Sequence, residues 1–182
     1  MIIYFVRHLK TKGNFEKRYI GKTDEDIYKA ESQTPPSNLP ENPSKIYTSA
    51  MKRTVQTAKL LYPNREVIKL ENLNETDFGD FENKNYEELK NNKDYRDFID
   101  GIKDPVGGES RKNFNERCIK AFLNIAKNGK DEIVIVCHGG TIMSILQGLD
   151  REKKDFYSYQ IKNGETLVCE YDGKYLTRKA NY

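Results

Sequence analysis

Two short apolar runs, each ending in a histidine, constrain the fold of this chain more than any other feature. The first covers residues 2–6 and leads into Arg7-His8, and the second covers residues 133–137 and leads into His138; the chain has no other histidine. Continuous runs of β-branched and aromatic residues predict strands that are buried on both faces, as in parallel sheets. Since ligands bind at the carboxyl ends of such strands, we expect both imidazoles to face one crevice.

The composition predicts one domain with a small-molecule ligand. At 182 residues the chain can build one sizeable core, so we expect a single domain over residues 1–182. The net charge is only +3 and basic residues alternate with acidic ones, which argues against nucleic acid as a partner. No segment approaches the roughly 18 apolar residues of a membrane span, so we expect no membrane contact.

The cysteines and the start of the chain predict a cytoplasmic protein. Cys118, Cys137 and Cys169 are odd in number, widely spaced and embedded in apolar patterns, as expected for reduced core residues. The first apolar run covers only five residues and has no basic leader, so we expect no signal peptide.

The remaining periodicities predict an alternation of strands and helices. Strands are expected at residues 2–6, 45–48, 66–70 and 133–137, with a terminal hairpin at 166–171 and 175–177. Helices are expected at residues 50–62 with Ser49 as N-cap, at 86–99, between Ser110 and Gly129, and at 141–147 with Gly148 closing the last. Residues 10–44 contain four prolines, which forbid a helix across the second half of that segment.

Three other chemistries fit the sequence less well. Residues 21–23 read Gly-Lys-Thr, like the end of a P-loop, but Glu16 stands where the first glycine is required. Cys137 precedes His138, but adjacent strand residues point to opposite faces, so core packing explains this thiol better than catalysis does. The two histidines could supply two ligands of a metal site, but neither belongs to a short histidine pair, so we expect no metal.

Phosphate chemistry explains more of the residues around the histidines. Gly139-Gly140 opens a helix directly after His138, so backbone N–H groups and the helix dipole would face an anion beside that ring. Arg53 lies in the first turn of another predicted helix. Glu75 lies in a predicted loop, from which a protonatable carboxyl can approach a leaving group.

These residues belong to an ordered series of motifs that resembles the histidine phosphatase superfamily, which includes the phosphoglycerate mutases. A lone Arg-His pair carries little information, whereas this series keeps the family's order across most of the chain. The blocks are Arg7-His8-x-x-Thr11-x-x-Asn14, Arg18-Tyr19-x-Gly21-x-Thr23-Asp24, Ser49-x-x-x-Arg53-x-x-Gln56-Thr57-Ala58, Leu73-x-Glu75-x-x-Phe78-Gly79-x-x-Glu82, Gly108-Glu109-Ser110 and His138-Gly139-Gly140.

The resemblance implies a fold, an activity and a division of roles. The fold would be α/β with three layers, a central, mostly parallel sheet flanked by helices, as in phosphoglycerate mutases. The activity would be that of a phosphomonoesterase that needs neither metal nor cofactor. His8 would become a phosphohistidine, and Glu75 would be the general acid and then the base. The phosphoryl oxygens would be held by Arg7, Arg53 and His138, and the substrate-binding residues would be Asn14, Arg18, Thr23 and Gly139.

Two residues depart from the family pattern, and the substrate is an open choice. Leu9 and Lys10 stand where the family usually has glycine and an acid, so we expect Leu9 to exclude bulk beside the phosphate and Lys10 to add a cation near the pocket. The compact chain and its block at residues 18–24 resemble the α-ribazole phosphatases of cobalamin biosynthesis. The alternatives are a phosphoglycerate mutase and a non-catalytic protein that binds phosphorylated ligands.

Overall fold

A six-stranded sheet forms the centre of the computed structural model, which describes residues 1–129 and 131–179. The strands are β1 (Ile2–Arg7), β2 (Lys45–Ser49), β3 (Ile68–Leu70), β4 (Glu132–Cys137), β5 (Thr166–Tyr171) and β6 (Leu176–Arg178). Their order across the sheet is β3-β2-β4-β1-β5-β6. The first four in this order are mutually parallel, β5 runs antiparallel to β1, and β6 runs antiparallel to β5. The predicted mostly parallel sheet is therefore confirmed.

Helices cover both faces of this sheet. They are α1 (Lys12–Phe15), α2 (Lys52–Leu61), α3 (Tyr86–Leu89), α4 (Lys93–Ile99), α5 (Arg111–Asn128) and α6 (Gly139–Leu149). On one face, side chains of α5 and α6 such as Phe122 and Ile142 pack in one core with Phe5 of β1. On the other face, Ala58 of α2 packs with Val6 of β1. The three layers expected from the sequence are therefore present.

The two central strands, β1 and β4, show why their sequences are continuously apolar. Alternate residues of β1 belong to opposite cores, with Ile3 and Phe5 facing α5 and α6, and with Tyr4 and Val6 facing α2. Because both faces are buried, neither can carry polar residues without an unmet desolvation penalty.

Several predicted helix boundaries are wrong. Ser49 ends β2 and is not a helix N-cap, since α2 begins at Lys52. The helix predicted at residues 86–99 divides into α3 and α4, because the side chain of Asn92 caps α4. Gly148 lies inside α6, which begins at residue 139 and whose apolar residues are buried in the core.

The segment between β1 and β2 is mostly irregular, as its prolines predict. Within it the structure contains only α1, of four residues, and a 3-10 turn at Ala30–Ser32. The backbone of Thr11 pairs with that of Ile27 in an isolated bridge, so the segment folds back on its own start. Of the helices in the described residues, none has the length and apolar character needed to cross a membrane.

Candidate active site

Parallel pairing of β1 with β4 brings the two histidines together. Arg7 is the register partner of Cys137 at the ends of these strands, so His8 and His138 follow side by side. Their ring centroids are 5.1 Å apart, with an angle of 64° between the rings. The crevice expected at the carboxyl ends of the strands is thus where both imidazoles lie.

His8 is held in the tautomer that a nucleophile needs. Its Nδ1 lies 2.6 Å from the carbonyl oxygen of Leu9. Because a carbonyl only accepts, Nδ1 carries the proton and the lone pair remains on Nε2. Burial, together with the positive charges of Arg53 and Arg7, lowers the pKa of His8 well below 6.5, although the bond to Leu9 opposes this shift. The ring is therefore neutral near pH 7.

His138 has protein partners on both ring nitrogens. The Nε of Arg53 donates to its Nδ1 at 3.2 Å, so Nε2 carries the proton and donates to the hydroxyl of Ser49 at 2.8 Å. Burial and then the charge of Arg53 lower the pKa of His138 well below 6.5. In this structure the ring orients Arg53, and it can reach a phosphoryl oxygen only by exchanging Ser49 for that oxygen.

The two arginines differ in how much of their hydrogen-bonding capacity is used. Arg53 is fully buried, and besides His138 it donates from Nη1 to the carbonyl of Thr23 at 2.8 Å and from Nη2 to that of Gly21 at 2.9 Å. Arg7 donates from Nη1 to the carbonyl of Ile161 at 2.7 Å, but its buried Nε has no partner in the described part of the chain. A buried guanidinium N–H without an acceptor indicates a site for an anion.

Glu75 projects from the loop that follows a 3-10 turn at Glu71–Leu73 and meets the start of α6. Its Oε2 accepts from the backbone N–H of Gly140 at 2.9 Å, and its Oε1 accepts from that of Thr76 at 3.0 Å. Burial raises the pKa of this carboxyl above 4.5, although the two backbone bonds and the arginines oppose the shift. A carboxyl with a raised pKa that lines a cavity is suited to deliver a proton.

A cavity of about 520 Å³ is lined by two of these groups, Arg7 and Glu75. Arg7, Asn14, Glu75, Gly139 and Gly140 form its polar floor. Six aromatic side chains line its walls: Tyr19, Phe78, Phe98, Phe114, Phe156 and Tyr157. The site therefore combines a small anion-binding floor with a large apolar space for the rest of a ligand.

The model of the histidine phosphatase superfamily (branch 1) matches residues 3–180. The chain belongs to this superfamily. The family and the enzyme class expected from the sequence motifs are thereby confirmed.

Named relatives of this histidine phosphatase carry three different activities. A metal-independent phosphoserine phosphatase from Arabidopsis thaliana is 29% identical over 79% of this chain, which spans 66% of the plant protein. The solved α-ribazole phosphatase of Shigella flexneri has a TM-score of 0.80 and 20% identity, covering 98% of this chain and 95% of its own. A phosphoglycerate mutase from Thermus thermophilus has a TM-score of 0.74 and 24% identity, with both chains fully covered. At these identities the solved structures show the fold alone.

The structure places most of the predicted site residues around one cavity. Arg7, Asn14, Glu75 and Gly139 line this cavity. His8, Arg53 and His138 are buried and are not among its lining residues. Oδ1 of Asn14 accepts from the backbone of Thr11 at 3.1 Å. The catalytic and binding roles of these residues stay predictions.

Arg18 and Thr23 are placed less favourably for binding substrate. Arg18 lies at the cavity rim and forms ion pairs with Glu16 at 2.8 Å and Glu88 at 2.7 Å. The hydroxyl of Thr23 donates to Glu82 at 2.7 Å, and Thr23 is not among the cavity-lining residues. Its backbone carbonyl accepts a hydrogen bond from Arg53, so in this structure Thr23 helps to orient Arg53 and does not face the cavity.

Neither Leu9 nor Lys10 is among the cavity-lining residues, and the effects expected of them on the substrate stay predictions. Leu9 is buried, and its Cδ2 lies 3.2 Å from the point where a Cβ on Gly164 would stand. Lys10 extends over the ring of Phe15, with Nζ 5.1 Å from the ring centroid. The backbone N–H of Leu9 donates to Thr57 at 3.0 Å, which sets the direction in which the chain leaves β1.

Sequence reasoning missed the turn before β5, which supports the nucleophile. The side-chain amide of Asn163 donates to the carbonyl of His8 at 3.0 Å, and Ile161 supplies the carbonyl that holds Arg7. The only local signal was Asn163-Gly164, which is typical of any turn. In residues 1–129 and 131–179, no group of three or more His, Cys, Asp or Glu side chains is arranged to hold a metal ion.

Proposed function

We propose that this histidine phosphatase hydrolyses phosphomonoesters without a metal, through a phosphohistidine at His8. The observation that carries this proposal is the tautomer of His8, whose Nε2 keeps its lone pair while Nδ1 is tied to the carbonyl of Leu9. A neutral imidazole beside an anion site is a competent nucleophile near neutral pH.

The first step transfers the phosphoryl group to the enzyme. Nε2 of His8 attacks phosphorus while the bond to the ester oxygen breaks, and the proton of Glu75 passes to that oxygen. We expect the Nε of Arg7, the remaining N–H of Arg53 and the start of α6 to balance the charge of the phosphoryl oxygens. An alcohol leaves, and Glu75 is left as a carboxylate.

The second step returns the enzyme to its starting state. Water attacks the phosphohistidine, the bond between phosphorus and Nε2 breaks, and the carboxylate of Glu75 takes the proton that the water loses. Inorganic phosphate leaves, and both His8 and Glu75 regain their initial protonation.

The aromatic walls favour a substrate with a flat apolar group, such as α-ribazole 5′-phosphate, a cobalamin precursor. Six aromatic side chains line the cavity, and rings of this kind stack on heteroaromatic bases. Phosphoserine is the second candidate, because the Arabidopsis relative is named for it. Its ammonium group needs a carboxylate partner, but the cavity-lining carboxylates are Glu75 and Glu109, and both oxygens of Glu109 bind Arg117.

Kinetics on purified protein test both parts of this proposal. We expect kcat/KM to be higher for α-ribazole 5′-phosphate than for O-phosphoserine or 3-phosphoglycerate, and mutase activity to be negligible even with 2,3-bisphosphoglycerate. Robust interconversion of phosphoglycerates would instead identify a mutase. Absence of turnover on every phosphomonoester would favour the non-catalytic alternative.

A matched pair of tyrosines tests the aromatic wall directly. Tyr157 lines the cavity and Tyr86 does not, yet both are 61% exposed. We expect Tyr157→Ala to lower kcat/KM for α-ribazole 5′-phosphate about tenfold, the loss of one weak stacking contact. O-phosphoserine should be unaffected, and Tyr86→Ala should change neither substrate.

Trapping of the intermediate tests the nucleophile. With substrate carrying radioactive phosphorus, we expect acid-labile labelling of wild type and of His138→Ala, but none of His8→Ala. Labelling of His8→Ala, or turnover by it at the wild-type rate, would contradict the phosphohistidine mechanism.

A further inference from the structure

All the N–H groups of one guanidinium, that of Arg117 on α5, have partners near the proposed acid. Two of them form a bidentate pair with Glu109, from Nε to Oε1 at 2.6 Å and from Nη2 to Oε2 at 2.8 Å. The other three reach carbonyl oxygens: that of Asn72, in the 3-10 turn before the loop, at 3.1 Å, and those of Asn74 and Glu75, in the loop itself, at 2.8 Å and 3.1 Å.

Arg117 supplies hydrogen-bond donors to backbone carbonyls that regular secondary structure does not pair. Residues 74–78 have no regular secondary structure, so their carbonyls lack the partners that a helix or strand would provide. The planar fork of an arginine can satisfy three converging carbonyls and a carboxylate at once, whereas the point charge of a lysine cannot. The bidentate bond to Glu109 fixes the plane of the fork.

We propose that Arg117 and Glu109 together form a positioning clamp that sets where Glu75 delivers its proton. The clamp holds the loop through its backbone on the α5 side, while the N–H of Gly140 meets the carboxyl of Glu75 on the α6 side. Neither clamp residue contacts the reacting atoms through this arrangement, so their effect on the reaction passes through Glu75. The inference rests on the proposed role of Glu75 as general acid.

Removing the clamp should change the pKa of Glu75 and the dependence of the rate on the leaving group, which a general loss of structure would not do. Burial is the main reason why the pKa of Glu75 is raised. A loop without its three carbonyl bonds lets water reach the carboxyl, and the pKa of Glu75 then falls towards 4.5. The protonated acid is consequently lost at lower pH, and only substrates that need a proton on the leaving oxygen are affected.

The decisive variant is Arg117→Ala, assayed with two substrates that differ in leaving group. Glycerol 2-phosphate needs a proton on its leaving alkoxide, whereas p-nitrophenyl phosphate hardly needs one. We expect kcat/KM to fall about 10- to 100-fold for glycerol 2-phosphate, as for a misplaced catalytic group. For p-nitrophenyl phosphate, kcat/KM should change little, because this ratio reports only the steps up to release of nitrophenol. The basic limb of the glycerol 2-phosphate profile should move to lower pH.

Three companion measurements separate positioning from stability. Lys112→Ala removes an exposed cation from the same helix, whose partner is Glu116, and should leave both substrates and the pH profile unchanged. Arg117→Lys should not restore the wild-type ratio between the substrates. Millimolar guanidinium chloride, compared with equal sodium chloride, should partly restore Arg117→Ala on glycerol 2-phosphate alone.

The outcomes are distinct. Equal losses on both substrates with an unmoved basic limb, or no loss at all, would overturn the clamp. If Arg117→Ala does not fold, Glu109→Gln is the test, because glutamine keeps the shape of the glutamate side chain but weakens the bidentate pair with Arg117. We expect a smaller loss of kcat/KM, again for glycerol 2-phosphate alone. An equal loss on both substrates would overturn the proposal. If Glu75→Gln loses activity on glycerol 2-phosphate alone and the clamp variants do not, the clamp is wrong and Glu75 remains the proposed acid. Inactivity of wild type on both esters would defeat the proposed function instead.

Discussion

Gly140→Ala should separate catalysis from stability in this enzyme. A Cβ at Gly140 would stand 2.4 Å from Oε1 of Glu75, closer than non-bonded atoms approach, and 3.1 Å from Cδ, which is a tight contact. The carboxyl is the far end of a flexible side chain, so it is expected to swing away, losing the bond from the N–H of Gly140 and its place beside the leaving oxygen. Loss of a general acid lowers rates by about 10²–10⁴. This corresponds to about 3 to 5 kcal/mol of transition-state stabilisation.

The fold should tolerate the same change. Gly140 lies in the first turn of α6 and its φ is not positive, so alanine fits the helical backbone there. Replacing a helical glycine by alanine contributes up to about 1 kcal/mol of stability. We therefore expect the free energy of unfolding to be unchanged or slightly raised while catalysis fails.

The assay compares kcat/KM for glycerol 2-phosphate and p-nitrophenyl phosphate, together with urea unfolding. The matched control is Gly148→Ala on the same helix, whose Cβ would meet Cδ1 of Ile119 at 2.4 Å, far from Glu75 along α6. It should alter stability but not the ratio between the two substrates. Wild-type kcat/KM for glycerol 2-phosphate in Gly140→Ala, or equal losses on both esters, would refute the reasoning.

The pKa values of His8 and His138 are both lowered in the folded state, so their contribution to stability is present above pH 6.5 and is lost as the pH falls below it. In urea unfolding, the free energy of unfolding should decline by up to about 1.4 kcal/mol per pH unit for each histidine. A free energy that stays constant between pH 6.5 and 5 would contradict this. Burial raises the pKa of the Cys137 thiol well above 9.0, so iodoacetamide should inactivate slowly, and Cys137→Ala should keep kcat while lowering stability by about 0.5–3 kcal/mol. Phosphatase activity should survive EDTA and dialysis; complete loss that a divalent metal restores would contradict the histidine mechanism.

The family was readable from the sequence because its chemistry is carried by residue identity in a fixed order. The buried strands were readable as well, since a strand covered on both faces must be apolar at every position, as residues 133–136 are. The helix predicted between Ser110 and Gly129 is present as α5, and Phe114, Cys118 and Phe122, which recur along it at helical spacing, all lie in the core.

Only the tertiary structure decided how these residues meet. Ser49 has the sequence of a helix cap, but its hydroxyl accepts from His138, 89 positions away, because β2 pairs with β4. Leu9 stands beside the nucleophile in sequence, yet its side chain is buried outside the cavity. Arg117 gave no local signal, because its partners lie up to 45 positions away on another loop. Local patterns depend on neighbours along the chain, whereas the tautomer of His8, the environment of Glu75 and the clamp on its loop depend on contacts that exist only once the strands have paired and the helices have packed.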